Sequence, residues 1–286
     1  MSQRPAGPRG QRRETGAKPG ETREHRERRE RFERARREAL RGAPGPDHDG
    51  PLILYGWHTV KAALQNPARV IHRFLATENA ARRLAEDGVT PRVPPHIVRP
   101  AEIDARLLPD AVHQGLYLEV APLPAPAIED LPGRGIVLVL DQITDPHNVG
   151  AIFRSASAFA ATAIVTTQRH SPDAHGALAK AATGALEHVP LVAVQNLARG
   201  LEALKARGFL LVGLDSEGDS DLAATPLRAP LALLLGAEGK GLRALTRASC
   251  DHLARIDLPG AIKSLNVSNA AALALYIATR AITPMR

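Results

Sequence analysis

Residues 136–154, with the sequence IVLVLDQITDPHNVGAIFR, set the pattern for the second half of the chain. The five apolar residues 136–140 predict a strand that is buried on both of its faces. A polar turn containing Asp145 and Pro146 follows, and residues 149–160 have the apolar spacing of a helix. Buried strands that alternate with helices are typical of a parallel sheet with helices on both sides. The stretch therefore predicts an α/β fold built on a parallel sheet.

The same alternation continues towards the C-terminus. Apolar runs predict further strands at 163–166, 189–194, 209–214, 231–235 and 253–256. Helical spacing predicts helices at 174–182, 197–207, 242–248 and 265–281. Residues 135–286 are therefore predicted to form one α/β domain.

A smaller α/β unit is predicted before this domain. Strands are predicted at 52–54, 70–76, 96–98 and 115–120, and helices at 58–65, 80–86 and 102–107. Alternate prolines in residues 121–127, APLPAPA, favour an extended and semi-rigid connector. We therefore divide this part of the chain into a small domain at 51–121 and a proline-rich linker at 122–134.

Residues 1–50 predict a disordered basic tail. They hold 14 of the 37 lysines and arginines but nine of the 30 acidic residues, so most of the net charge of +7 lies there. Large apolar side chains are almost absent, and the segment buries too little surface to offset its ordering entropy. The tail is either an arm that binds phosphate groups or a solubilising segment without a specific partner.

Composition excludes several classes of protein. Cys250 is the only cysteine, so an internal disulfide or a cysteine-based metal cluster is impossible. No apolar run approaches the roughly 18 residues of a membrane span, and none follows the charged N-terminus as in a secretory signal. The histidines lack paired ligand spacing, so no metal is expected. A cytoplasmic protein without a membrane partner is the expectation.

Three loops at predicted strand ends carry unusual residues, and such ends are where open parallel α/β sheets bind ligands. In the first loop, Asn148 occupies the position expected for a helix N-cap. Gly150 allows close approach of the backbone in the first turn, and Arg154 lies one turn later on the same face. Alone, this loop also fits a capped helix with an exposed arginine.

The second loop lies in residues 231–242, LALLLGAEGKGL. Its glycines, including Gly236, permit tight curvature and unobstructed contact with a ligand. The residue after Lys240 is glycine and the spacing differs from that of a P-loop. Glu238 would repel a phosphate, so the loop suits a ligand with a positive or neutral centre, although an ordinary strand-to-helix turn has the same features.

The third loop lies in residues 256–272, and its polar residues cluster before an alanine- and leucine-rich helix. Ser264, Asn266, Ser268 and Asn269 fall within six positions. One of them suffices as an N-cap, so the cluster indicates hydrogen bonding to a ligand or substrate. A polar helix start packed against another subunit is the alternative.

Taken together, the three loops resemble the signature motifs of the SpoU/TrmH family. The order is Asn148-x-Gly150-x-x-x-Arg154, then Gly236-x-Glu238-x-x-Gly241-Leu242, then Leu258-Pro259-Gly260-x-x-x-Ser264-x-Asn266-x-Ser268. The likeness spans about residues 136–283. Residues 52–120, with YGWHTV at 55–60, resemble a small RNA-binding domain found upstream in some members. Those members include bacterial enzymes that methylate a guanosine of 23S ribosomal RNA.

The resemblance implies a trefoil-knotted methyltransferase domain of the SPOUT superfamily. It also implies transfer of a methyl group from S-adenosylmethionine to a ribose 2′-hydroxyl of RNA, and a homodimer formed through the C-terminal helix. Backbone groups around Gly236, Ile256 and Leu265 are expected to contact the cofactor. The positions that match catalytic residues of the family are Arg154, Asn148, Glu238, Ser264 and Asn266.

The resemblance also implies a role for each of these side chains. Arg154 matches the catalytic arginine of the family. Free arginine does not release its proton near neutral pH, so it cannot act as a base. We therefore expect Arg154 to assist electrostatically. Asn148 and Glu238 are expected to orient the arginine and the substrate. Ser264 and Asn266 are expected to position the third loop.

The exact substrate stays open at the level of sequence. The separate domain at 51–121 favours 23S ribosomal RNA over transfer RNA. Lys263 stands where the ribosomal guanosine enzymes often have serine, which predicts a different local contact with RNA. A non-catalytic RNA-binding or ribosome-assembly protein of the same fold is a rival, and so is an α/β enzyme that uses another nucleotide. Binding of S-adenosylmethionine separates an enzyme of this kind from the RNA-binding rival.

Overall fold

The computed structural model describes residues 51–108, 111–168, 178, 182, 184–262 and 264–282. The prediction of a disordered tail at 1–50 lies outside these residues. So do Lys263 and most of the predicted helix at 174–182.

The small unit is an α/β unit, as predicted. Its elements are β1 (Leu52–Tyr55), α1 (Trp57–Gln65), β2 (Ile71–Ala76), α2 (Glu78–Glu86), β3 (His96–Ile97), α3 (Pro100–Asp104) and β4 (Leu116–Val120). The strands lie in the order β1-β4-β2-β3. β4 is antiparallel to β1 and β2, and β3 is parallel to β2. Apolar side chains of α1 and α2 pack on one face of this sheet.

The larger unit alternates strands and helices. Its elements are β5 (Ile136–Asp141), α4 (Pro146–Ala158), β6 (Ala163–Thr167), β7 (Leu191–Val194), α5 (Leu197–Ala206), β8 (Leu210–Leu214), β9 (Ser220–Asp221), β10 (Leu231–Gly236), α6 (Ala244–Ala248), β11 (His252–Arg255) and α7 (Val267–Ile282). Short 3-10 helices lie at Ile128–Asp130, Ala185–Glu187 and Leu222–Ala224.

All strand pairs described in the larger sheet are parallel, in the order β7-β6-β5-β10-β8-β11-β9. The apolar run of β5 is explained by two cores. Ile136, Leu138 and Leu140 pack with α4 and α7 on one face, whereas Val137 and Val139 pack with α5 on the other. Because side chains alternate along a strand, a strand covered on both sides is apolar throughout. The predicted parallel α/β domain is confirmed.

The strand order creates a crevice beside β5. From β5 the chain moves outward through β6 and β7, and it then crosses to β8 on the opposite side. Ligands of open α/β sheets bind beyond the carboxyl ends of strands at such a reversal. The loops after β5, β10, β8 and β11 all lie along this edge, which places the three predicted loops together.

The start of α4 corrects one prediction. The N-cap is Asp145, whose Oδ1 accepts a hydrogen bond from the His147 N–H at 3.1 Å, and Asn148 is not the cap. Pro146 occupies the first helical position, where its missing N–H costs nothing. Asn148 therefore lies in the first turn, and its side chain is free for contacts outside the helix.

Other helix boundaries also differ from the prediction by one to three residues, as at α3 and α7. α3 begins at Pro100 and ends at Asp104, whereas 102–107 was expected. Here Glu102 Oε1 accepts a hydrogen bond from the Arg99 N–H at 3.1 Å and fixes the first turn. α7 begins at Val267, two residues later than predicted.

A buried ion pair joins the small and the larger units. Arg69 donates through Nη2 to Glu187 Oε1 at 2.6 Å and through Nε to Glu187 Oε2 at 3.1 Å. Asn66 Nδ2 donates to Glu187 Oε2 at 2.7 Å, and the Arg69 and Glu187 side chains are each 2% exposed. Two parallel N–H···O bonds of this kind define orientation as well as distance.

Within the described ranges, no helix has the length and apolar character needed to cross a membrane.

Candidate functional site

A cavity of about 420 Å³ opens at the carboxyl ends of β8, β10 and β11. This volume lies within the range of about 300–1,000 Å³ that is typical of small-molecule sites. Residues from the segments 214–217, 235–242, 254–258 and 264–270 line it, together with Arg247. Both the second and the third predicted loops therefore contribute to one pocket.

The loop after β10 turns too tightly for a side chain at Gly236. A Cβ atom built there would lie well inside 3.0 Å of the Gly241 carbonyl carbon. The Gly241 N–H donates to the Ala237 carbonyl at 2.8 Å, which closes the loop. Gly239 and Gly241 have φ values of +74° and +64°, in the region that favours glycine. The sequence therefore leaves bare backbone facing the cavity.

Hydrogen bonds bring the three predicted loops together at Glu238. Its Oε1 accepts from Asn266 Nδ2 at 2.7 Å, from the Val267 N–H at 3.2 Å and from Asn148 Nδ2 at 3.5 Å. Asn266 Nδ2 also donates to Asn148 Oδ1 at 2.9 Å. Residues from three distant parts of the chain thus form one connected group, which we call the Glu238 cluster (Asn148, Glu238 and Asn266).

Asn266 is held in place from both ends of its amide. Its Oδ1 accepts from the Ser268 N–H at 2.9 Å and from Ser268 Oγ at 2.5 Å, as an N-cap of α7 does. Its Nδ2 is then directed at Glu238 and Asn148. The hydrogen-bond network assigns this amide orientation, and it ties the third loop to the other two.

Charges around the cavity are partly paired. Asp215 Oδ2 accepts from Arg247 Nη1 at 2.6 Å, and Arg255 Nε lies 2.7 Å from Asp257 Oδ1. Among the described residues, Glu217, Glu238 and Lys240 form no ion pair. The lining therefore offers carboxylates and an ammonium group to a ligand that carries both signs of charge.

A buried carboxylate supports the edge of the sheet beside the cavity. Asp141, at the end of β5, is completely buried and accepts from Arg243 Nε at 2.7 Å and from the Arg243 N–H at 3.0 Å. This pair fixes the start of α6 against β5. The loop between Gly236 and Arg243 is therefore anchored at both of its ends.

The structure does not place every predicted residue at the cavity. Gly236, Ile256, Ser264 and Leu265 line it, and Glu238 lies at its wall. Arg154 does not line it. Its side chain is exposed on α4 and has no hydrogen bond or ion pair with the described residues. Arg154 is thus apart from the cavity within one copy of the chain.

The sequence prediction missed the loop after β8. Asp215, Ser216 and Glu217 line the cavity, and Arg247 of α6 closes over Asp215. A signal was present, because the strand at 209–214 was predicted and ligands bind at the carboxyl ends of such strands. Acidic residues directly after that strand deserve the same attention as the three motif loops.

Two other kinds of chemistry find no support in the described residues. Burial raises the pKa of the Cys250 thiol to about 11, so the group is a neutral thiol at pH 7 and a poor nucleophile. No group of three or more histidine, cysteine, aspartate or glutamate side chains is arranged to hold a metal ion in the part of the chain that the structure describes.

Family models match both units of the chain. Residues 135–276 match the SpoU rRNA Methylase family. Residues 53–126 match a domain described as RNA 2′-O ribose methyltransferase substrate binding.

Curated relatives and solved structures agree with these matches. The 23S rRNA (guanosine-2′-O-)-methyltransferase RlmB of Pseudomonas putida is 40% identical over 242 residues, which cover 79% of this chain and 95% of that protein. Its counterpart from Pseudomonas aeruginosa is 39% identical and covers 81% and 97%. The SpoU methyltransferase AviRb of Streptomyces viridochromogenes, solved with AdoMet, superposes with a TM-score of 0.69 at 26% identity, covering 87% of this chain and 97% of that one.

Proposed function

The chain belongs to the SpoU rRNA Methylase family, and on that premise we propose that it methylates a ribose 2′-hydroxyl of RNA, with S-adenosylmethionine as the methyl donor. Curated relatives that are 39% and 40% identical to the chain are named as methyltransferases of a 23S rRNA guanosine, and a guanosine of 23S ribosomal RNA is the target we assign. The observation that carries the proposal is the Glu238 cluster, which joins the three motif loops at the wall of one cavity.

The cavity suits S-adenosylmethionine in size and in charge. Gly239 and Gly241 line the cavity with open space where a side chain would be, and Ile256 and Leu265 also line it. The unpaired carboxylates of Glu217 and Glu238 suit the cationic groups of the cofactor, and Lys240 suits its carboxylate. When bound there, the cofactor supplies a methyl group on a sulfonium, which is a good leaving group.

The chain's own residues supply position and charge. A ribose hydroxyl is a weak nucleophile, so it must be oriented and must lose its proton. We assign the orienting role to Asn148 and Glu238, and the placing of the third loop to Ser264 and Asn266. Arg154 stabilises the negative charge that develops on the ribose oxygen. A guanidinium has donors only and no acceptor, so Arg154 is unsuited to remove the proton.

A homodimer accounts for the position of Arg154. α7 packs on α4 and leaves Leu273 and Tyr276 about 41% and 48% exposed, beside the helix that carries Arg154. Apolar side chains on such a face favour a second copy of the chain. In that arrangement Arg154 of one copy faces the cavity of the other.

We also infer the remaining features that the resemblance implies. The third loop contributes Ser264 and Leu265 to the cavity formed by the second loop, an arrangement that suits a trefoil knot through these segments. The domain limits are 51–121, 122–134 and 135–286, with a basic tail before them. We also infer a cytoplasmic location, because the curated relatives are bacterial and bacterial ribosomes are assembled in the cytoplasm.

Methyl transfer to defined RNAs tests the proposal. The purified chain is incubated with radiolabelled S-adenosylmethionine and with a 23S ribosomal RNA transcript or a transfer RNA pool, and 2′-O-methylated positions are mapped. Label in a guanosine of the ribosomal transcript is expected. Label confined to transfer RNA would reassign the substrate, and cofactor binding without any transfer would support the non-catalytic rival.

Arg154→Ala tests the mechanism in the same assay. Loss of electrostatic assistance is expected to lower kcat by about 10²-fold or more, whereas the Kd for S-adenosylmethionine stays unchanged because Arg154 acts on the ribose oxygen and not on the cofactor. Arg228→Ala, an exposed arginine at the opposite edge of the sheet, is the control. Full activity of Arg154→Ala would remove this residue from the mechanism.

A further inference from the structure

The small unit contains a pocket of its own, far from the loops described above in sequence. It has a volume of about 470 Å³ and lies where the start of α1, the first turns of α2 and residues 111–115 meet. We call it the Trp57 pocket. Its lining includes the side chains of Trp57, Asn79, Arg83, His113 and Gln114.

The planar guanidinium of Arg83 forms one side of this pocket. The Cζ atom of Arg83 lies 3.9 Å from the centroid of the Trp57 ring, so the guanidinium packs against the indole. Trp57 is buried, whereas Arg83 is exposed and has no hydrogen bond or ion pair with the described residues. The indole holds one face of the guanidinium, and stacking of a nucleobase on an arginine plane is a common mode of RNA recognition.

The sides of the pocket present hydrogen-bond donors. Gln114 Oε1 accepts from the backbone N–H of Trp57 at 2.8 Å, and Asn79 Oδ1 accepts from Arg82 Nη2 at 2.8 Å. These two contacts assign the amide oxygens, and neither amide NH₂ group has a partner among the described residues. Two such NH₂ groups beside a cation suit the carbonyl oxygens and ring nitrogens of a nucleobase.

The wall at residues 113–115 is rigid. His113 Nδ1 accepts from the Gly115 N–H at 3.0 Å, so its Nε2 carries the proton that bonds Asp104 Oδ1, also at 3.0 Å. Gly115 has φ of +78°, and a Cβ atom there would collide with Thr77. A preformed wall of this kind lowers the entropy cost of binding.

We propose that the Trp57 pocket binds one unpaired nucleobase of the RNA substrate, stacked on Arg83 and hydrogen-bonded by Asn79 and Gln114. The inference rests on the proposed function and extends it, because it assigns a recognition contact to the unit that matches a substrate-binding domain. The pocket holds single-stranded RNA while a different nucleotide is methylated at the cavity of the larger unit. A duplex cannot satisfy it, since paired bases are stacked and hydrogen-bonded already.

Tryptophan fluorescence reads this pocket directly, because Trp57 is the only tryptophan of the chain. The full chain is titrated with single-stranded RNA hexamers and with abasic hexamers of the same length and charge. A saturable change in emission with RNA is expected, together with at least tenfold weaker binding of the abasic strand, since stacking of a base contributes strongly. Equal binding of both strands would leave only phosphate contacts and overturn the proposal.

Two variants separate stacking from charge. Arg83→Ala is expected to weaken hexamer binding at least tenfold and to raise the KM for RNA without lowering kcat. Arg106→Ala removes the same charge from an exposed position of the same unit that does not line the pocket, and about a twofold effect is expected. Equal effects of the two variants would refute the pocket.

Failure of this inference is distinguishable from failure of the proposed function. Methyl transfer to 23S transcripts is measured in the same preparations. Normal transfer with no fluorescence response and unaltered Arg83→Ala binding would refute the pocket and leave the enzyme assignment intact. Saturable base binding with no methyl transfer would support the pocket and refute the assigned activity.

Discussion

Glu187 and Glu238 each accept three hydrogen bonds, yet they serve different ends. Glu187 is bound by Arg69 and Asn66, and its side chain is 2% exposed. Glu238 is bound by Asn148, Asn266 and the Val267 N–H, and it is exposed. The same side chain is thus used once to join two units and once to arrange a site.

The two carboxylates differ in the charge of their hydrogen-bond donors and in the number of acceptor sites that are left free. At Glu187 a guanidinium neutralises the carboxylate and both oxygens are occupied, so the group can only be structural. At Glu238 the donors are neutral and all three reach Oε1, which leaves Oε2 without a partner among the described residues. A carboxylate has about four acceptor sites, and the remaining ones at Glu238 are available to a ligand.

Glu187→Ala is expected to give the largest loss of stability. It leaves the Arg69 guanidinium buried without its counter-charge, which costs about 3–5 kcal/mol. Chemical denaturation of the full chain measures the change. Glu86→Ala, which removes an exposed partner of Arg82, is the control and is expected to stay within about 0.5 kcal/mol. A loss below about 1 kcal/mol for Glu187→Ala would show that the pair does not stay buried in solution.

Glu238→Ala is expected to lower activity strongly and stability only slightly, the reverse of Glu187→Ala. The three motif loops lose their common acceptor, and misplacement of about 1 Å lowers the rate by about 10²-fold, equivalent to about 2.7 kcal/mol of barrier. The free energy of unfolding should change by about 1 kcal/mol or less, because water replaces an exposed acceptor. Glu238→Gln keeps an acceptor oxygen and is expected to retain more activity. Wild-type activity of Glu238→Ala would show that Glu238 does not arrange the site.

Gly236→Ala tests the loop that carries Glu238, because the substitution forces this loop to move. The added methyl group collides with Gly241 and Leu242, and crowding of this kind costs about 2 kcal/mol. Cofactor affinity, measured by calorimetry, should fall at the same time because the loop must shift. Gly133→Ala, in the linker, where a Cβ meets nothing within 4 Å, is the matched control. Unchanged affinity in Gly236→Ala would separate this loop from the cofactor.

Asn66→Ala is expected to have the smallest effect. Glu187 loses one neutral donor but keeps both bonds from Arg69, so the cost is about 1 kcal/mol. The same denaturation experiment measures it. A loss as large as that of Glu187→Ala would mean that Asn66, and not the arginine, organises the junction.

Much of the fold was predictable because a strand that is buried on both faces has an uninterrupted apolar sequence. The runs at 136–140 and 231–235 are apolar throughout, and both are strands of a parallel sheet. Helix starts were less predictable. Asp145 and Asn148 both suit an N-cap, and only the geometry of Pro146 and the bond to the His147 N–H decide for Asp145.

Only the part of the site that carries family motifs was predicted from the sequence. Residues matched to the family motifs, such as Gly236 and Leu265, line the cavity. Glu217 was missed, since its loop carries no motif and its role follows only from the place of β8 beside β10. The Trp57 pocket was missed because Trp57, Arg83 and Gln114 lie in separate elements that meet only in the folded small unit.

The sequence by itself determined the parallel α/β architecture and the small preceding unit, because these depend on local patterns of burial and turn chemistry, and the resemblance of its motifs to a known family singled out the three loops. Only the tertiary structure decided that Asn148 meets Asn266, and that Arg69 meets Glu187, across 118 positions in each case. Such contacts are set by the order in which strands pair. That order is a property of the whole chain, and no short stretch encodes it.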